Sequence, residues 1–382
     1  MKCMKTEIEF FISQNQQQML DTLKELCGIL APSHFEHKRA EYCINWLEGI
    51  GAKGVYIDEA LNVIFPLNCE NSNEITVFAA HTDTVFPDSE PMPYFDDGEK
   101  IHCPGAADDT ASVAVLMMMA KYFVEKKLMP PKGILFVCNS CEEGLGNLKG
   151  TRQLFKDFHG RISRFISFDS LMHTVNDRCV GSHRYEVKVL TEGGHSFGDF
   201  GNCNAIAKLS EIVTEIYKLQ VPEKADSHTT YNVGEISGGT SVNTIAQNAK
   251  MLCEYRSDDR ECLEIMQARF EAIFEAARSE KVRVHVKRVG DRPCGNIEDG
   301  KIRSLKQMVV PIIETVIGEK VSFKSSSTDC NIPLSLGVPA LCIGVNTYAG
   351  MHTREEWVDK ASLVSGLEIA IRLGRVFTEM NF

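Results

Sequence analysis

The feature that most constrains the fold is a recurring unit, a short apolar run that stops at a polar cluster. It occurs as "EITVFAAHTD", "GILFVCNSCEEG", "RFISFDS" and "PALCIGVNTYAGMHT". Between the first two lies "DDTASVAVLMMMAKYFVEKK", apolar on most sides, with Asp109 or Thr110 placed to cap its start and lysines at its end, as a helix dipole prefers. Strand, helix, strand in succession implies a largely parallel sheet covered by helices. In open sheets of this kind ligands bind beyond the carboxyl ends of the strands, so the polar clusters are expected on one rim.

Two helices are expected ahead of this pattern, over 16–28 and 35–50, where Leu20, Leu23 and Cys27, then Ala40, Cys43, Trp46 and Leu47, recur at helical spacing. Pro32-Ser33 marks the break between them, with a serine able to cap. From about Gly181 the pattern changes. "RYEVKVLTE", "TTYNVGEISGG", "AQNAKMLCEYRS" and "VRVHVKRVG" read as strands, and "NAIAKLSEIVTEIYKLQ" and "ECLEIMQARFEAIFEAARSEK" as helices. That is a βαββαβ order, the signature of a ferredoxin-like α+β domain. The expected architecture is an α/β domain with a mostly parallel central sheet over residues 1–181 and 296–382, interrupted by an inserted α+β domain over 182–295.

At 382 residues the chain can hold two domains, and 41 Lys and Arg against 52 Asp and Glu leave a formal charge of −11. Without a basic run, nucleic acid and anionic membranes are poor partners. The 14 cysteines are scattered through apolar segments of a large chain, which fits free thiols in a reducing cytoplasm better than a disulfide framework. Glu7 and Glu9 interrupt the apolar N-terminal stretch, so no signal-peptide core is expected, and "ASVAVLMMMA" is too short to span a bilayer.

Each polar cluster carries groups able to do chemistry. His81 and Asp83 stand at i and i+2 of an extended segment, where a histidine can bind a metal while the carboxylate orients its ring. Asp108 and Asp109 open a helix, so one of them is an ordinary cap candidate. Glu142 and Glu143 are adjacent like charges at the end of a buried strand, and Asp169 and His352 close two further runs. Taken singly, each reads as a loop or cap residue. Together they place two histidines and several carboxylates on one expected rim, and such a set needs positive charge. Nitrogen and carboxylate ligands without thiolates suit zinc, and also cobalt or manganese. Two metals sharing a carboxylate would offset the charge, activate water and polarise a carbonyl, with one glutamate as ligand and its neighbour as general base. The reaction class is hydrolysis.

Three other signals carry less. "GLGNLKG" has lysine where a dinucleotide loop needs its last glycine, Met117–Met119 fits helix core, and Cys141 has no positive neighbour in sequence to lower its pKa.

In order along the chain, "FAAHTDTVFP", "GAADDTASVAVL", "CNSCEEGLGNLKG", "FDS", "GGHSFGDFGNCNAI", "SVNTIAQNAKMLCEYRS" and "SSSTDCNIPLSLGVPALCIGVNTYAGMHTREEWV" resemble the motifs of the M20 metallopeptidases, nearest to the peptidase T-like branch. The resemblance covers nearly the whole chain. It implies two metal ions bridged by Asp108, with a cis peptide bond to Asp109. One ion would be completed by His81 and Asp169, the other by Glu143 and His352. It implies Glu142 as general base, Asp83 behind the His81 ring, and His195 as a donor to the tetrahedral oxyanion, in dimeric members often across the subunit boundary. Asn243 and Arg256 match positions that meet the substrate backbone or carboxylate. Residues 182–295 resemble the family's lid and dimerisation domain.

The expected function is dinuclear zinc-dependent hydrolysis of an amide bond in a short peptide, first as an aminopeptidase on di- and tripeptides. A carboxypeptidase or N-acyl-amino-acid deacylase is the alternative on the same scaffold, and a peptide-binding protein without catalysis is the alternative of another class. A homodimer through the inserted domain is expected from its exposed strand edge.

Overall fold

The computed structural model describes residues 2–70, 72–295, 297 and 299–379. It divides into two compact units, Met1–Cys179 with Asn296–Phe382, and Val180–Gly295. Asn296 itself, where the α/β domain is expected to resume, lies outside the described residues.

The chain opens with α1 (Lys2–Cys27), α2 (His37–Gly49), β1 (Tyr56–Ile57), β2 (Val63–Leu67), β3 (Ile75–His81), α3 (Ala111–Glu125), β4 (Gly133–Asn139), α4 (Lys149–Asp157), β5 (Ile162–Leu171) and β6 (Thr174–Cys179). The second unit follows as β7 (Gly181–Leu190), α5 (Ala205–Ile216), β8 (Thr229–Gly238), β9 (Asn248–Ser257), α6 (Arg260–Ala276) and β10 (Arg283–Arg292). The first unit is completed by α7 (Asp299–Ile317), β11 (Ser322–Ser326), α8 (Asn331–Ser335), β12 (Ala340–Asn346) and α9 (Lys360–Glu379).

The large sheet of the first unit has the order β1-β2-β4-β3-β5-β12-β6-β11. Its centre, β4, β3, β5 and β12, is parallel, while β2 and β6 run antiparallel to their inner neighbours. Every residue of β3 and β4 is buried, as expected for strands covered on both faces. Their side chains alternate between two cores. Phe78 and Ala80 join Phe136 and Cys138 on the face that holds α3 and α9, and Val77 and Ala79 join Leu135 and Val137 on the face that holds Leu154 of α4 and Ile332 of α8. Met117, Met118 and Met119 are fully buried, so that stripe is helix core. α9 approaches β12 at backbone distance, because a Cβ at Gly366 would collide with the Val345 carbonyl.

The second unit is an antiparallel sheet of order β8-β9-β7-β10. Counted within the unit this is 2-3-1-4, the arrangement of a split βαβ fold. Residues of α5 and α6 share its core with the sheet, among them Leu209, Ile212, Met266 and Phe270.

Two local expectations are corrected. Neither Asp109 nor Thr110 caps α3: the chain enters that helix through a wide turn, Ala106–Thr110, in which the Thr110 hydroxyl donates to the Gly105 carbonyl and Asp109 accepts from the His81 amide. Ser33 does not cap α2, which begins at His37 after Glu36; its hydroxyl donates instead to Asp83. In both places a group suited to a cap has a partner far away in sequence.

Candidate metal centre

The strand register sets up the site. In the parallel ladder His81, the last residue of β3, is paired with Asn139, the last residue of β4. The chain beyond Asn139 therefore delivers Glu142 and Glu143 at the level of His81. On the other side of β3, Ala79 pairs with Ser167, and two more residues along each strand bring Asp169 beside His81. The fourth parallel strand, β12, ends at Asn346, just before the loop that carries His352. Asp108 comes from the turn ahead of α3, and the peptide bond between Asp108 and Asp109 is cis.

These side chains converge. One ligand atom from each of His81, Asp108 and Glu143 lies within 4.8 Å of the others, and the same holds for His81, Glu142 and Asp169. Asp108 is central: its Oδ1 is 3.0 Å from His81 Nε2 and its Oδ2 is 2.9 Å from His352 Nε2. Glu143 Oε1 lies 3.1 Å from the same His352 nitrogen. Donor atoms bound at about 2.0–2.1 Å around one cation stand roughly 3.0–3.4 Å apart, so these pairs have the spacing of ligand edges.

The tautomer of His81 strengthens the case. Its Nδ1 lies 3.0 Å from the Asp83 main-chain oxygen, which can only accept, so Nδ1 carries the proton. In the neutral ring Nε2 then turns a lone pair toward the carboxylate of Asp108. Two acceptors 3.0 Å apart require a proton or a cation between them. The neighbouring acids show the same demand for positive charge. Burial, then the charge of Asp108, pushes Glu143 up to about 8. Burial and the charges of Asp108, Asp109 and Glu142 hold Asp169 well above the usual carboxylate range. His352 is pushed up to about 10 by its hydrogen bonds to Asp108 and Glu143. Imidazole and carboxylate donors without thiolate fit divalent zinc, cobalt or manganese.

Asp83 has a wider part in the geometry than its place behind the His81 ring. Its Oδ1 accepts the Glu142 amide and its Oδ2 the Glu143 amide, each at 2.9 Å, so one buried carboxylate fixes the backbone of the glutamate pair. The Ser33 hydroxyl donates to the same Oδ2 at 2.6 Å. Glu36, fully buried, accepts the Cys141 amide at 3.0 Å and so holds the residue whose φ of 57° turns the chain into the pair. The Cys141 thiol is pushed up to about 12 by burial and Glu36, the opposite of what a nucleophile needs.

Ser33, Glu36 and Glu356 escape a reading of the sequence because each acts on a distant segment: Ser33 donates to the Asp83 carboxylate, Glu36 accepts the Cys141 amide, and Glu356 accepts the amides of Gly105, Ala107 and Asp108. The only sequence signal for Glu356 is its place four residues after His352.

His195, Asn243 and Arg256 lie in the second unit. His195 is exposed and pairs with Thr244 in a short ladder, beside which the Ser196 amide donates to the Asn243 carbonyl. His195 Nδ1 accepts the amides of Phe197 and Gly198 at 3.2 Å, which leaves the proton of the neutral ring on Nε2 as an outward donor. Arg256, on β9, is paired with Glu254 at 2.7 Å, and Glu254 also receives Arg184.

Comparison with known proteins completes the picture. The family model described as "Peptidase family M20/M25/M40" matches residues 77–375. The putative succinyl-diaminopimelate desuccinylase DapE of Mycobacterium tuberculosis is 22% identical over 333 residues, covering 84% of this chain and 88% of that protein. The aminopeptidase PepT of Bacillus cereus superposes with a TM-score of 0.73 at 22% identity, over 94% of this chain and 98% of that one. The YXEP protein of Bacillus subtilis, described as a dinuclear metal binding peptidase of the M20 family, gives a TM-score of 0.66 at 12% identity, over 97% and 100%. Since the family model spans most of the chain, this protein belongs to peptidase family M20/M25/M40 and is a metallopeptidase-type hydrolase.

Proposed function

We propose that the chain is a dinuclear-metal aminopeptidase that releases the amino-terminal residue of di- and tripeptides. The observation that carries this reading is the Asp108 carboxylate, with one oxygen turned to each of two histidines and acids on both sides that need positive charge. His81, Asp108 and Asp169 would hold one ion, and Asp108, Glu143 and His352 the other, with zinc first and cobalt or manganese as alternatives. When bound, such a pair supplies Lewis acidity toward a carbonyl oxygen and lowers the pKa of water.

The rest is work for the chain's own residues. Glu143 faces His352, whereas Glu142 stands with His81 and Asp169, and we assign Glu142 as the general base. Its carboxylate takes a proton from the attacking water and returns it to the leaving amine nitrogen. Asp83 keeps it on target through the two amides it accepts. His195 Nε2–H is the donor to the oxyanion that forms on the scissile carbonyl. Asn243 and Arg256 bind the substrate backbone or its carboxylate, Arg256 from within its pair with Glu254. In this reading the first unit is the catalytic domain and the second a lid. The edge strand β8, with Ile236 54% exposed, is the surface on which two copies join by sheet extension. The described cysteines are free and nearly all buried, which supports a reducing, cytoplasmic setting.

The relative described as a desuccinylase favours a second reading, hydrolysis of an N-acyl amino acid. A panel of free di- and tripeptides, N-blocked peptides and N-acyl amino acids, incubated with zinc-loaded protein and read by mass spectrometry, separates the two. Cleavage of free peptides from the amino end alone supports the aminopeptidase. Cleavage confined to blocked or acylated substrates overturns it in favour of the deacylase or carboxypeptidase.

A further inference from the structure

Glu356 is buried to 1% exposure and does not face the ligand atoms of the centre described above. Its carboxylate is turned to main chain. Oε2 accepts the Gly105 amide at 2.8 Å, and Oε1 accepts the amides of Ala107 at 2.7 Å and Asp108 at 3.0 Å. These amides belong to the one turn that presents the Asp108 side chain. Gly105 enters that turn at φ +76°, and a Cβ there would crowd Thr84 at 2.6 Å, so the segment is pressed against the loop that follows β3.

Placement of the glutamate is itself fixed. The strand Trp357–Asp359 begins one residue later and pairs with Lys100–His102, with Trp357 opposite His102. The Cys103 amide donates to the Glu356 carbonyl at 3.2 Å, and the chain then runs straight into Gly105. The inner pair of strands of a small four-stranded sheet thus carries both the carboxylate and the turn it grips.

We infer that Glu356 is a positioning residue for the metal centre: by accepting three amides of the Gly105–Asp108 turn, it sets the orientation in which Asp108 offers one oxygen to His81 and the other to His352. This rests on the two-cation reading. A carboxylate with two acceptor oxygens can satisfy amides on both, whereas a glutamine in its place offers one oxygen and turns an NH2 group toward an N–H. Groups that orient metal ligands from behind typically change metal affinity 10–100-fold when altered.

The test is a zinc titration of the full chain against a chromophoric competitor, for wild type, Glu356→Gln and Gly366→Ala. Folding of each metal-free protein is followed by circular dichroism and melting. Gly366 lies on α9 and supplies no ligand atom and no hydrogen bond to the Gly105–Asp108 turn, so its alanine variant reports what lost stability alone does. The expected result is two zinc ions per wild-type chain, affinity about 10–100-fold weaker in folded Glu356→Gln, and wild-type affinity in Gly366→Ala. If Glu356→Gln does not fold, Glu356→Asp, which keeps the charge but loses reach, is read in the same way. Wild-type affinity in a folded Glu356 variant, an equal loss in Gly366→Ala, or failure of both Glu356 variants to fold would make Glu356 a structural clamp only and overturn the inference. A wild-type chain that takes up no zinc would instead sink the two-cation reading itself.

Discussion

Asp108, His81 and His352 form a line of three side chains in which every facing pair lacks a positive charge unless a proton or cation is supplied. This is the residue-scale answer to why Glu142 and Glu143 can sit side by side in a buried turn. Their backbone is clamped by Asp83, and their charges face a place for cations. If Glu142 is the base, Glu142→Ala should retain both metals and the fold while turnover falls roughly 10²–10⁴-fold. Metal analysis beside steady-state kinetics checks this, and turnover retained in a metal-replete variant would remove the assignment. The candidate ligands were legible in the sequence because each follows an apolar run or, for Asp108, opens a helix, and a parallel sheet brings such positions to one rim. Ser33, Glu36 and Glu356 were not. Glu36 and Glu356 reach amides 105 and up to 251 positions away, and Ser33 a carboxylate 50 away, and no local pattern encodes such contacts.

At the scale of elements, the strands and helices followed from apolar runs of distinct period, while their ends did not. Asp109 has the composition of a cap, yet the His81 amide claims its carboxylate, and tertiary contact overrides local preference. Burial of β3 and β4 on both faces makes the packing of helices against the sheet the main source of stability in the first unit. At Gly366 α9 packs directly on the backbone of β12. Gly366→Ala should therefore cost about 1–3 kcal/mol or more by overpacking, seen as a lower urea midpoint. A midpoint equal to or above that of wild type would show that α9 can shift without cost.

For the whole molecule, the two units have different logics. The first is a mostly parallel sheet with helices on both faces, and the second is an antiparallel sheet with helices sharing one core. The change from runs to alternation near Gly181 announced that difference in the sequence. The oligomeric state was not legible there, since an exposed strand edge such as β8 is compatible with several partners. Sedimentation at micromolar concentration is expected to give a dimer, and a Lys substitution at Ile236 on that edge should shift it toward monomer. A wild-type monomer would count against sheet extension and would require His195 to act within its own chain.

The most direct measurement is anomalous diffraction at the zinc edge from crystals grown with zinc. Two peaks, one on each side of the Asp108 carboxylate and reached by His81 on one side and His352 on the other, are the predicted result. A single peak, or none at Asp108 in crystals that hold zinc elsewhere, would contradict a two-cation centre.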